Sequence, residues 1–201
     1  MVICSRSQYT RAYIDRISED VNHVKFTNHI NDNLCFNKNN LLNFAIQTGI
    51  HVNQENQPYE SYFNKQLENI LSAICQHPDT KLFEEGYNFK FEPCDLFTDD
   101  TLYFVKIGEP SDFALALDQA YLTLQKLKSS NKCIELKDGK IVSPENFKLI
   151  LVFDKRKTYV EKWLDIKSLN FLIHLSELRN NLSLSGINLH IDFCYETKQS
   201  P

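Results

Sequence analysis

Glycine and proline are scarce, at five and six of 201 residues, which excludes collagen-like and Pro/Gly-rich low-complexity classes. No run of about 18 apolar residues occurs, so no membrane span is expected. The opening residues, MVICSRSQYTRAYIDR, hold no apolar stretch long enough for a secretory signal. The six cysteines form no Cys-x-x-Cys pair, and the expectation is reduced thiols in a cytoplasm. Cys75 and His77 are the one close Cys/His pair, and two ligands do not make a zinc site. Also missing are a Gly-rich phosphate loop, a GxSxG elbow and an HExxH helix. A basic excess is lacking too: 22 Lys and Arg stand against 26 Asp and Glu, for a net charge of -4. A general nucleic-acid binder relies on phosphate contacts and is usually strongly basic. Only a local basic groove is left open.

What is present is enough to build a core. Apolar residues make up 42% of the chain and aromatics 12%, and the length suits one soluble domain. Residues 1–60 are rich in Asn, Gln, His and Lys, with weak periodicity, and read as an N-terminal extension packing on a core formed by 61–201. Within the extension, VKFTNHI and NLCFNKNNLLNFAI each have room for a short strand or helix, and NQENQPYES (53–61) reads as a loop.

From residue 61 the patterns sharpen. Phe63, Leu67, Ile70, Leu71 and Ile74 recur at helical spacing and predict a helix over about 61–76. Tyr87, Phe89 and Phe91 alternate with polar residues and predict a strand. It is joined through the TDDT turn (98–101) to a second strand, TLYFVKI (101–107). Ser111 is the expected N-cap of a helix over about 111–128. Residues 131–146 suggest a small hairpin about Asp138-Gly139. FKLILVF (147–153) is nearly unbroken apolar sequence, as in a central strand covered on both faces. A helix over about 167–184 stops at Gly186. In the last strand, Ile187, Leu189, Ile191, Phe193 and Tyr195 point one way, and Asn188, His190, Asp192 and Cys194 the other. The fold class expected is α/β (α+β): a mixed central sheet flanked by helices, with a parallel strand–helix–strand unit near the end.

The segment 89–121 carries the chemistry. Asp95 closes one strand in this reading, Lys106 lies eleven positions on along the next, and a helix with Gln119 and Tyr121 follows. This order resembles the PD-(D/E)xK restriction-endonuclease-like superfamily. There, an Asp at a strand end and an acid two residues before a Lys hold a divalent cation, and the Lys helps position or polarise the attacking water. Phosphodiester hydrolysis needs a hard cation on oxygen ligands, and residues i and i+2 of a strand share a face. The departure is Phe104, which stands two before Lys106 and cannot bind a metal. Glu68 on the first helix, Glu92 on the preceding strand and Glu109 just past Lys106 are the three alternatives for a second carboxylate.

Over roughly 66–195, about two thirds of the chain, the sequence also resembles an uncharacterised, sporadically distributed prokaryotic family of unknown function. The similarity is carried by Glu92-Pro93-Cys94-Asp95, Thr98-Asp99-Asp100, Val105-Lys106 and Ser111. This chain is shorter than full-length members. That resemblance implies a restriction-endonuclease-like core and a role in bacterial defence, without an established activity.

The expectations are therefore Asp95, Lys106, Glu68 and Gln119 as catalytic residues, with Asp95 and Glu92 holding Mg²⁺. DNA or RNA is the partner, membranes are not, and a homodimer is one assembly considered. The basic run DKRKTYVEKW (154–163) could grip phosphates with Tyr159 and Trp163 stacking, against the plainer reading of a solvated loop with a core Trp. The alternative function is a non-catalytic interaction protein that keeps a degenerate nuclease fold. Phe104 and the acidic balance favour it.

Overall fold

The computed structural model describes residues 15–29, 36–49, 59–75, 92–130, 133–135, 141–154 and 159–196. The strand expected at 87–91, the Asp138-Gly139 turn, His77 and residues 155–158 lie outside them.

The architecture is mixed α/β. Helical residues 15–22 (α1) lead to β1 (Phe26–His29). Helices α2 (Lys38–Gln47) and α3 (Tyr59–Leu71) precede three strands, β2 (Ile74–Cys75), β3 (Leu96–Phe97) and β4 (Thr101–Gly108). Helix α4 (Pro110–Ser129) and a two-stranded hairpin, β5 (Ile134–Glu135) with β6 (Ile141–Val142), come next. Then follow β7 (Asn146–Phe153), a 3-10 turn at Trp163–Asp165, α5 (Leu169–Ser185) and β8 (Asn188–Tyr195). The main sheet has the order β1-β8-β7-β4-β3-β2. Pairs β1/β8, β8/β7 and β7/β4 are parallel; β4/β3 and β3/β2 are antiparallel.

The apolar run of β7 is buried from Leu149 to Phe153 because helices cover both faces of the sheet. On one face Phe104, Phe147, Phe153 and Phe193 pack with Phe113 of α4 and Phe171 of α5. On the other, Val105, Ile150, Val152 and Cys194 lie beneath α2 and α3, against Leu41, Phe63 and Leu67. The alternation expected in β8 is present, with Ile191 and Phe193 in the first cluster and Cys194 in the second. The parallel β7–α5–β8 unit is present as well, and Gly186 ends α5 in the left-handed region at φ 75°.

Several expectations shift. The first core helix ends at Leu71, and Ile74–Cys75 forms an edge strand instead of its last turn. It begins at Tyr59, inside the segment read as a loop. The N-cap of α4 is Glu109, not Ser111, because Pro110 fits the first helical position, where no N–H is needed. Part of the N-terminal extension belongs to the sheet, since β1 pairs with β8 along Phe26↔Ile191 to His29↔Cys194. Trp163 is buried, and its Nε1 donates to the Val24 carbonyl at 3.1 Å. The basic run therefore does not present Trp163 as a stacking platform.

Candidate functional site

The short β3 decides where polar chemistry can sit. It pairs with β4 only at Leu96↔Tyr103 and Phe97↔Leu102. Beyond that the strands part, and the outward amides of β4 need other acceptors. Two carboxylates supply them. Asp95, just before β3, donates its own N–H to the Tyr103 carbonyl at 2.9 Å. Its Oδ2 accepts from the Val105 N–H at 2.7 Å. Two residues on, the Ile107 N–H donates to Glu60 Oε2 of α3 at 3.3 Å. The notch between β3 and β4 is thus lined by carboxylates bonded to amides about 6.6 Å apart along one strand edge.

Lys106 lies between those amides in sequence. By alternation its stem leaves β4 on the Phe104 side, yet its Nζ is 3.0 Å from Glu60 Oε2. The ammonium therefore reaches past the strand edge into the notch. Lys106 and Glu60 retain 26% and 33% side-chain exposure, so the pair meets solvent rather than being sealed in the core. Asn64, one turn along α3 from Glu60, donates to Asp95 Oδ1 at 3.5 Å.

Helix α4 holds the third carboxylate's backbone. Gln119 Nε2 donates to the Glu92 carbonyl at 3.2 Å, and the Thr123 hydroxyl to the Pro93 carbonyl at 2.5 Å. Residues i and i+4 lie on one helix face, so two side chains fix consecutive peptides leading into Asp95.

Electrostatics tie these groups into one cluster. Burial lifts the Asp95 carboxyl from its ordinary 3.8 to about 7; the Val105 N–H opposes that, Glu92 and Glu60 add to it, and Lys106 lowers it. Glu92 is also raised, first by burial and then by Glu60, with Lys106 opposing. Burial likewise pushes the Cys94 thiol well above its usual range, with Asp95 and Glu92 adding to the effect. Three carboxyls and one ammonium thus sit within mutual charge reach; burial first, and like charges second, keep the Asp95 carboxyl partly protonated at neutral pH. A carboxyl near 7 can give or take a proton at neutral pH.

The donor chemistry suits a hard divalent cation, which takes carboxylate oxygens. The side chains do not converge as they stand: among the described residues no group of three His, Cys, Asp or Glu is placed to hold a metal ion.

Of the residues expected from sequence, Asp95 and Lys106 reach this notch, Glu92 lies within charge reach of both, and Gln119 touches the Glu92 carbonyl. Asp95 opens β3 rather than closing the strand before it. Glu68, two turns beyond Glu60 on α3, is paired with Lys65. Glu109 is engaged at the start of α4, where its N–H donates to Asp112 Oδ2 at 2.9 Å. Tyr121 is 37% exposed on α4, away from the contacts that Gln119 makes. Phe104 is fully buried against Phe147. Sequence reasoning missed Glu60. An acidic residue in the first turn after Pro58 was its one signal, since acids favour helix starts.

No family model, no curated protein and no solved structure matches this chain.

Proposed function

We propose that this chain is a nuclease-like protein that binds or cleaves nucleic acid at the β3/β4 notch. One observation carries the reading: Asp95 and Glu60 accept successive outward amides of β4, and the Lys106 ammonium pairs with Glu60 beside them. The carboxylate that Phe104 denies to β4 comes from helix α3. The notch also lies toward the C-terminal end of β4, where sites in α/β sheets commonly open. This supports a restriction-endonuclease-like arrangement of the core around β4.

In this reading Asp95 and Glu92, with Glu60, are the residues that would hold Mg²⁺. When bound, such an ion supplies charge neutralisation at a phosphate and lowers the pKa of a bound water. The chain's own groups do the rest. Lys106 offers three N–H donors to a phosphate oxygen or to the attacking water. Gln119 and Thr123 hold the Glu92-Pro93 backbone, and through it the approach to Asp95. Because burial raises the Asp95 carboxyl, cation binding there would displace its proton and would strengthen as pH rises.

A second reading is a non-catalytic interaction protein with the same fold. The buried Phe104, the Lys106–Glu60 pair and the lack of a converged ligand triad among the described residues favour it.

Incubation of supercoiled plasmid, single-stranded DNA and RNA with Mg²⁺ or Mn²⁺ separates the two. Cleavage by the wild type that drops about a hundredfold or more in Asp95→Asn and Lys106→Met upholds the nuclease. No cleavage of any of the three, or undiminished cleavage by Asp95→Asn, leaves the interaction protein.

A further inference from the structure

A cleft of about 390 Å³ opens at the other end of the sheet. It is framed by the α1–β1 turn, the C-terminal half of α5 and the first residues of β8. β8 runs parallel to β7, and β7 to β4. The start of β8 therefore lies opposite the Val105–Gly108 end that borders the notch, and the cleft is a separate place in the fold.

Its lining is unusual for a chain of net charge -4. His23, Lys25, Arg179 and His190 all contribute, and no Asp or Glu does. Lys25 and Arg179 are fixed cations, and each imidazole presents an N–H donor in either protonation state. Arg179 uses one Nη1 bond on Asn180 Oδ1 at 2.9 Å, which leaves most of its five donors for a ligand. Among the described residues, no ion pair engages Lys25, His23 or His190. The nearest acid along that face of β8, Asp192, is paired with Lys148 at 2.7 Å. Beneath the cationic rim, Val24 and Ile187 are 5% and 7% exposed and provide an apolar floor.

We propose that this cleft binds a small phosphorylated molecule, its phosphate held by Lys25, Arg179 and the two histidines and its flat apolar part laid on Val24 and Ile187. Guanidinium and ammonium groups together favour phosphate oxygens, through bidentate and point-charge contacts respectively. The volume falls at the small end of the range for ligand sites, which suits a mononucleotide-sized phosphomonoester better than a polymer backbone. The inference is independent of cleavage at the notch.

AMP is the probe, with adenosine and inorganic phosphate as its two parts, in calorimetric titrations of the full chain. The expected result is saturable AMP binding, weaker phosphate binding and no adenosine binding. Lys25→Glu and Arg179→Glu should each weaken AMP by about tenfold or more, while Asp95→Asn and Glu60→Gln leave it unchanged. Lys25 is exposed and Arg179 half-buried at the cleft rim, and circular dichroism checks that both variants fold. The proposal is overturned by an absence of saturable AMP binding, or by equal AMP affinity in the charge-reversed variants. Loss of AMP binding in Asp95→Asn alone would overturn it by placing the phosphate in the notch. Binding of an oligonucleotide but not AMP would do so by assigning the cleft to a polymer.

Discussion

Replacing Asp95 with asparagine removes a charge from a place where burial works against it. The folded carboxyl titrates near 7 rather than 3.8, so between those values the folded chain holds a proton that the unfolded chain has released. Stability then falls as pH rises through that window and levels off above about 7. Asparagine is neutral throughout, and its carbonyl can still accept the Val105 N–H. The stability gap, Asp95→Asn minus wild type, should therefore widen by about 2–3 kcal/mol between about pH 5 and about pH 8, at no more than about 1.36 kcal/mol per pH unit and with most of the change complete by about pH 7. Urea denaturation of both proteins at about pH 5 and about pH 8, with chelator present, reads this gap directly. A gap that stays level across the range, or narrows with rising pH, refutes the claim that Asp95 is held largely protonated by burial and its acidic neighbours.

Other perturbations follow from the same geometry. Mg²⁺ at about ten times its dissociation constant should stabilise the wild type by roughly 1.4 kcal/mol above about pH 8; equal stabilisation of Asp95→Asn would remove that residue from the cation's ligands. Gln119→Leu deletes the bond to the Glu92 carbonyl and should cost about 1 kcal/mol in urea denaturation, with a larger proportional loss in cleavage. Phe104→Ala empties a fully buried site against Phe147 and should cost about 3–5 kcal/mol by the same measurement. Gly108→Ala should cost about 1–3 kcal/mol, because Gly108 sits at φ 152° and a Cβ there would strike the Asp112 carboxylate.

Elements that announce themselves locally were readable from sequence. The nearly unbroken apolar run of β7, the alternation of β8 and the Gly186 stop of α5 each follow from one-dimensional periodicity and backbone preference. β3 is different: two residues show no alternation, so Asp95 read as the end of a preceding strand when it opens the next one. Ile74 continued the helical spacing of α3 and was assigned to it, whereas edge pairing with Phe97 makes it strand. The candidate site was half legible. Asp95, Lys106, Glu92 and Gln119 lie close together in sequence around one strand pair. Glu60 lies 46 residues from Lys106, and what recruits it is the unpaired edge of β4, a tertiary feature with no local pattern. Glu68, the acid expected on the same helix, lies two turns beyond Glu60 and pairs with Lys65.

The most direct measurement compares Glu60→Gln with Glu68→Gln in the plasmid cleavage assay with Mn²⁺. Glu60→Gln should abolish cleavage, while Glu68→Gln should cut at the wild-type rate. Full activity in Glu60→Gln, or a loss confined to Glu68→Gln, would contradict that expectation.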